Sequence, residues 1–194
     1  DIAKRLAVSR TPVREALSWL AYEGYVEVWC RSGWQVRAFD CEYFEELYDL
    51  RTVLEREAIF RLSKAPSPQG LAILESLKHC WIDTPPLADG KAVSLLDEAF
   101  HIALVNAAGN KEMARVHGEL TERLRIIRQL DFTRNDRIAA TYREHALMLN
   151  AILRQQPEEA QHILTEHIAM SKAEVRKITL HTLQQARLQP VTNN

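Results

Sequence analysis

Three absences narrow the class of protein to which this 194-residue sequence belongs. Its three cysteines, Cys30, Cys41 and Cys80, form no CxxC pair and cannot all be bridged, which argues against an exported disulfide scaffold. No apolar run reaches the roughly 18 residues that a membrane span needs, and no signal peptide is expected. The sequence therefore predicts a cytoplasmic protein without a membrane partner.

The sequence also lacks an excess of charge of either sign, because the formal net charge is −1. A global attraction to nucleic acid is therefore excluded, and any DNA contact has to rest on a local basic patch. Residues 1–38 carry six basic and four acidic side chains, a modest local excess. Their first residues, with Ile2, Ala3, Leu6 and Ala7, resemble the second helix of a three-helix unit, so we expect a first helix to be missing from this sequence.

The stretch from Val8 to Tyr25 predicts a turn followed by a helix. Ser9 is a suitable N-cap, Pro12 lies early in the helix, where a missing N–H is tolerated, and Gly24 fits the C′ position. Apolar residues recur at spacings of three and four along one stripe, namely Val13, Ala16, Leu17 and Leu20.

Basic and polar side chains lie away from that stripe, near the start of the helix: Arg10, Thr11 and Arg14. A recognition helix inserts this end into the major groove, where arginine pairs with both acceptors of guanine. The alternative is a surface helix with two solvated arginines. A following hairpin favours the first interpretation, since residues 25–30 and 34–37 predict two strands around a turn from Arg31 to Gly33. Such a wing tip would lie along a phosphate backbone.

Residues 39–185 predict an all-helical domain, followed by a tail over residues 186–194. Breaks near residues 64–68, 83–86 and 108–110 and at Pro157 separate the predicted helices. One of them is expected over Gln69 to Trp81. Arg51 lies on the apolar stripe of the first helix, where it either forms a core salt bridge or clamps an anionic ligand.

Four side chains from three predicted helices face one bundle: Asp97, His101, His145 and His167. Asp97 and His101 are four residues apart and so share a helix face. Each histidine alone is compatible with a satisfied core residue, but three imidazoles and a buried carboxylate together favour a divalent transition-metal site. The remaining histidines, His79, His117, His162 and His181, are assigned as surface or structural.

The first 36 residues resemble the winged-helix domain of the GntR family of bacterial transcription regulators. The motifs that carry the resemblance are SRTPVREAL, EGYVEV and the glycine of the wing. The resemblance implies DNA contacts by Arg10, Thr11 and Arg14. Together with the helix cap and the wing, the predicted DNA-binding set is Ser9, Arg10, Thr11, Arg14, Arg31 and Gly33.

The second half resembles the FCD ligand-binding domain of the FadR-type branch of that family. D-x-x-F-H, A-G-N, E-H-A-L and E-H-I-A carry this resemblance, and LYDLRTVLE resembles the first helix of the domain. It implies a divalent metal (Zn, Ni or Mn) on Asp97, His101, His145 and His167, with a small carboxylate effector beside it. Arg51 is the predicted effector-binding residue.

The expected protein is a mainly α-helical chain, with a winged helix-turn-helix that lacks its start and an all-α bundle behind it. We expect a homodimeric repressor that binds operator DNA and is released from it by its carboxylate effector. Two alternatives stay open. One is a metal-dependent enzyme acting on a small organic acid, although no HExxH motif is present. The other is a regulator whose metal only stabilises the fold.

Overall fold

A computed structural model of the chain describes residues 2–22, 25–29, 33–36, 40–132 and 135–188. Two compact units make up the chain, Asp1–Asp40 and Cys41–Asn194. The predicted fold class, mainly α-helical with a small wing, is confirmed. Among the described helices, none combines the length and the apolar character that crossing a bilayer requires.

The first unit contains two helices and a hairpin. Its elements are α1 (Ile2–Arg5), α2 (Arg10–Tyr22), β1 (Val26–Trp29) and β2 (Gly33–Val36). The strands are antiparallel, with Val26 opposite Val36 and Trp29 opposite Gly33. Gly33 has a φ of +108°, a conformation that disfavours side chains. The predicted helix end at Gly24 and the wing residue Arg31 lie outside the described residues.

The apolar stripe of α2 is only partly covered. Val13 and Leu17 are half-buried, Leu20 is 37% exposed, and no residue of this helix is buried. The only other helix described in this unit, α1, has four residues and offers little apolar surface to pack against. The predicted apolar stripe is therefore present on α2, but the described residues of this unit do not cover it with a buried core.

The second unit is a helical bundle. Its helices are α3 (Cys41–Lys64), α4 (Pro68–Lys78), α5 (Gly90–Ala107), α6 (Lys111–Asp131), α7 (Asn135–Leu153) and α8 (Pro157–Leu188). A π-helix, His79–Asp83, follows α4 directly, so the helix expected to run to Trp81 changes its hydrogen-bond pattern after Lys78. The last helix continues past residue 185, where the tail was expected to start.

Side-chain caps and turns set the starts of these helices. Ser67 Oγ accepts a hydrogen bond of 3.0 Å from Gly70 N at the start of α4, and Asp89 Oδ2 accepts one of 3.0 Å from Ala92 N at the start of α5. Gly109, with a φ of +76°, forms the turn between α5 and α6. The three-residue turn thus holds α5 and α6 as neighbours.

The core lies between α3, α5, α7 and α8, and both α3 and α7 pack along α8. Among the largest fully buried side chains one is charged, Arg51, and the others are apolar or aromatic: Tyr48, Ile59, Leu62, Leu74, Phe100, Leu104, Leu124, Met148, Leu149, Ile152 and Leu164. On α8 both Met170 and Ser171 fit the helical spacing of the apolar stripe. Ser171 is buried and Met170 is 53% exposed, so the stripe passes through Ser171.

We predict that Gly90→Ala destabilises the second unit by about 1–3 kcal/mol, because a methyl group there would overlap the backbone carbonyl oxygen of Phe132. Gly118→Ala in α6 is the matched control, since nothing lies within 4 Å of its added methyl group. That control should gain about 0.5–1 kcal/mol from helix propensity. Urea unfolding followed by circular dichroism measures both changes, and equal midpoints for the two variants would contradict the close approach.

Candidate metal and nucleic-acid sites

The four side chains predicted to hold a metal come together in the core of the second unit. Asp97 and His101 lie one turn apart on α5, His145 lies on α7 and His167 on α8. All four are buried, and one potential ligand atom from each lies within 4.8 Å of the others. The helical stripes read from the sequence therefore converge on one point.

The carboxylate oxygen Asp97 Oδ1 is the centre of this cluster. Its distances to the Nε2 atoms are 3.3 Å for His145, 3.5 Å for His101 and 3.8 Å for His167. The Nε2 atoms of His101 and His167 are 3.2 Å apart. In a tetrahedral zinc site with bonds of about 2.0–2.1 Å, ligand atoms are about 3.3 Å apart. The spacing of the donor atoms therefore fits a single ion.

Two of the three imidazoles are oriented by carboxylates. His101 Nδ1 lies 2.6 Å from Glu55 Oε2, and His167 Nδ1 lies 2.7 Å from Glu144 Oε2. An ionised carboxylate only accepts, so each Nδ1 carries the proton and donates it. The Nε2 atoms of the two rings face each other at 3.2 Å, a separation that suits two ligands of one cation. This carboxylate–histidine arrangement is typical of metal-ligating histidines.

The third imidazole, His145, is held by aromatic rings. Phe100 stacks on it with centroids 3.8 Å apart and planes at 9°, and Trp81 of the π-helix meets it edge-on at 4.2 Å. Within the described part of the chain, neither of its ring nitrogens has a hydrogen-bond partner. Burial lowers the pKa of His145 to about 3 and that of His167 to about 4. Both rings are therefore neutral at physiological pH, the form that binds a metal.

Asp97 is ionised because of its partner on α6. Burial alone would raise its pKa, but the charge of Arg128 holds the pKa of Asp97 well below its usual range. Arg128 Nη2 donates to Asp97 Oδ2 over 2.5 Å. Among the described residues, Oδ1 has no hydrogen-bond partner. One oxygen of Asp97 is thus neutralised by arginine, and the other is available as a ligand.

Arg51, the predicted effector residue, forms a core salt bridge. It is 1% exposed, and its Nε donates to Glu55 Oε1 over 2.7 Å. The same oxygen lies 2.9 Å from His117 Nε2. Arg51 Nη2, however, is buried and has no partner among the residues described, and the same holds for Arg128 Nη1. A buried charged donor without an acceptor is costly, so both guanidinium groups retain unused capacity for an anion.

Sequence reasoning found Arg51 and Asp97 but missed their partners and a third pair, namely Glu55, Arg128, Arg137 and Glu144. Three arginine–carboxylate pairs thus lie around the ligands: Arg51–Glu55, Arg128–Asp97 and Arg137–Glu144. His117, assigned as surface or structural, is buried and belongs to this shell. One sequence signal could have found Glu55, because it lies four residues after Arg51 and therefore on the same face of the helix. His117 likewise lies between Met113 and Leu120, which are both buried.

The residues predicted to contact DNA lie on the surface of the first unit. Exposed side chains are found at the start of α2 and in the turn before it: Ser9, Arg10, Thr11 and Arg14. Gly33 is exposed at the first position of β2. Arg31 lies outside the described residues. Two exposed basic side chains thus stand near the N-terminal end of the helix, where the positive end of its dipole also attracts phosphate.

Family comparisons agree with both units. Residues 46–170 match the FCD domain, and residues 1–36 match the bacterial regulatory proteins of the gntR family. The FCD match alone covers more than half of the chain. The chain therefore belongs to the gntR family of bacterial regulatory proteins and carries an FCD domain as its second unit.

Individual relatives and solved structures are similar to this chain at moderate identity. The Nta operon transcriptional regulator of Aminobacter aminovorans is 31% identical over 132 residues, which are 68% of this chain and 62% of that relative. The chain thus spans less than two thirds of that relative's length. E. coli McbR/YncC is similar with a TM-score of 0.65 and 21% identity, over 92% of this chain and 85% of the other. The Zn²⁺-bound FCD domain of TM0439 is similar with a TM-score of 0.55 and 23% identity, over 73% and 96%. These two structures support the fold.

We predict that Arg128→Met destabilises the metal-free protein by about 3–5 kcal/mol, because it leaves Asp97 as a buried charge without its partner. Arg115→Met on the same helix is the control, since its partners Glu112 and Glu119 are exposed. That change should barely alter stability. Denaturant unfolding in the presence of a chelator compares them. Similar midpoints for the two variants would show that Asp97 does not depend on the arginine.

Proposed function

We propose that this protein is a DNA-binding transcription regulator whose operator binding is controlled by a small carboxylate bound beside a divalent metal in the FCD domain. The observation that carries this proposal is the buried convergence of Asp97, His101, His145 and His167 on one point, in a chain that also carries a gntR-family domain. Family membership supports transcription control as the task of the whole protein.

DNA recognition is assigned to the first unit. Arg10 and Arg14 are exposed near the start of α2, with Thr11 between them, and an arginine in the major groove donates two hydrogen bonds to guanine. The wing, whose second strand begins at Gly33, would lie along the adjacent phosphate backbone of the DNA. Two copies in a homodimer would read the two halves of an inverted repeat. In this proposal the effector releases the protein from its operator, so the protein acts as a repressor.

Metal binding is assigned to the four converging side chains. Zn, Ni and Mn all accept imidazole and carboxylate ligands, and the Zn²⁺-bound FCD domain of TM0439 supports an ion in this fold. When bound, the ion would supply two positive charges and coordination positions for an oxygen ligand. Asp97, His101, His145 and His167 would hold it through Oδ1 and the three Nε2 atoms.

Effector binding is assigned to the charges around that point. Each of the three arginines is balanced by its carboxylate, so a divalent ion would add an excess of two positive charges to the core. A small carboxylate would offset that excess. Arg51 Nη2 and Arg128 Nη1, which lack partners among the described residues, would donate to it. For control, the effector must bind more tightly to one of two arrangements of the protein.

One feature supports a second candidate, a metal that only stabilises the fold. Structural zinc sites are closed by four protein ligands, whereas sites that bind a further ligand keep an open position. Four side chains converge here, so a tetrahedral ion would have no position left. An ion that accepts more than four ligands would still take a carboxylate. The two candidates differ in whether a carboxylate changes operator binding.

The DNA assignment is tested by Arg10→Ala and Arg14→Ala, with Arg154→Ala of the second unit as the exposed control. Each recognition-helix variant should abolish selective binding, because a bidentate arginine–guanine pair contributes about 1–3 kcal/mol of discrimination in every half-site. Binding to an operator selected from random duplexes is measured at fixed salt, together with metal content, which should not change. Selective binding retained by both variants would refute the assignment.

The metal assignment is tested by His145→Ala, with the exposed His162→Ala as the matched control. The first variant should lose most of its bound metal by elemental analysis, because one of the four ligands is removed, and the control should keep it. Acetate and succinate should change operator affinity in the wild type and in the control but not in His145→Ala. A metal retained in full by His145→Ala would mean that the ligand set is wrong. If His145→Ala loses its metal but acetate and succinate do not change the operator affinity of the wild type, the purely structural role of the metal is favoured.

A further inference from the structure

Glu55 is a buried carboxylate of α3 with hydrogen-bond donors on three sides. It is fully buried and accepts hydrogen bonds from three helices. Its Oε1 faces Arg51 Nε at 2.7 Å and His117 Nε2 at 2.9 Å, and its Oε2 faces His101 Nδ1 at 2.6 Å. A buried carboxylate with three donors is fixed in position, because any rotation would break at least one charge-assisted hydrogen bond.

The two oxygens of Glu55 serve two different parts of the site. Oε2 holds the ring whose other nitrogen belongs to the four-ligand set, and Oε1 holds the guanidinium whose Nη2 has no partner among the described residues. His117, from α6, fixes the carboxylate from a third side. One rigid group therefore joins a metal ligand, His101, to an anion donor, Arg51.

We infer that Glu55 is a positioning residue that couples metal binding to carboxylate binding. It keeps the proton of His101 on Nδ1, so that Nε2 is free as a ligand, and it holds Arg51 through Nε, so that Nη2 stays available to an anion. This inference rests on the proposed metal-and-carboxylate function. It adds that Glu55 is the group through which a bound metal would strengthen carboxylate binding, and a bound carboxylate would strengthen metal binding.

Polarisation along this chain of hydrogen bonds gives the physical reason. A cation on His101 Nε2 makes the Nδ1–H group a stronger donor, which draws the negative charge of Glu55 towards Oε2. Oε1 then compensates the charge of Arg51 less fully, and the guanidinium attracts an anion more strongly. Linkage requires the reverse effect to be equal, so the anion must raise metal affinity by the same factor.

Glu144 provides a matched comparison, because it holds a proposed ligand without touching Arg51. Its Oε2 faces His167 Nδ1 at 2.7 Å and Arg137 Nη1 at 2.8 Å. Glu144 therefore orients a metal ligand in the way that Glu55 does. Removing its charge should weaken metal binding but leave the link between metal and anion intact.

The test measures Zn²⁺ affinity of the full chain, by competition with a chromophoric chelator, at increasing succinate concentration. In the wild type, succinate should raise Zn²⁺ affinity. Glu55→Gln should lower Zn²⁺ affinity by about 10–100-fold and remove the succinate dependence, because one amide oxygen cannot serve both Arg51 and His101. Glu144→Gln should lower Zn²⁺ affinity by a similar factor and keep the succinate dependence.

A second measurement uses the wild type alone and does not depend on whether Glu55→Gln folds. Zn²⁺ added without succinate should shift the Arg51 Nε–H resonance together with the His101 Nδ1–H resonance in nitrogen-15 spectra. No shift at Arg51, or a succinate dependence that persists in Glu55→Gln, would overturn the role of Glu55 and leave the proposed function standing. A wild type that binds none of Zn²⁺, Ni²⁺ and Mn²⁺, or binds them without any succinate effect, would overturn the proposed function as well.

Discussion

Pairing of ionised side chains inside a helical core is the constraint on which the second unit depends. Taking a charge out of water costs several kcal/mol, so each buried ion needs a partner with good geometry. Two of the pairs found here cross between helices: Asp97 on α5 meets Arg128 on α6, and Glu55 on α3 meets His101 on α5. Well-packed apolar residues would often stabilise such a core as much or more. Stability alone therefore does not explain the charged core, whereas the proposed binding of a metal and a carboxylate would give its charges a use.

The three histidines are held by two kinds of force, and this gives the site an asymmetry. Carboxylates orient His101 and His167 and make their free nitrogens more basic. His145 instead lies between Phe100 and Trp81, where shape and burial fix the ring but add no basicity. Trp81 comes from the π-helix, a rare element that is frequent at functional sites. Two ligands are thus set by electrostatics and one by packing.

Much of the site could be predicted, because helical periodicity shows which residues share a face. Asp97 and His101 are one turn apart, and His145 and His167 each lie on an apolar stripe, so spacing alone found all four. The charged shell was missed because glutamates and arginines on a helix are usually solvated, and no local pattern distinguishes Arg128 or Glu144 from an exposed residue. The change from α-helix to π-helix after Lys78 was missed because a π-helix of five residues is too short to leave a signal in the apolar spacing.

The sequence by itself determined the two kinds of unit, the polar end of α2 and the inward faces of α5, α7 and α8. Those properties depend on residues within a few positions of one another, and local spacing encodes them. Only the tertiary structure decided which nitrogen of His101 and of His167 is held by a carboxylate, that Glu55 joins Arg51 to His101, and that Arg128 neutralises Asp97. Those contacts join residues on different helices, 31 positions apart for Asp97 and Arg128 and 46 for Glu55 and His101. They depend on how the helices pack, which the spacing within one helix does not specify.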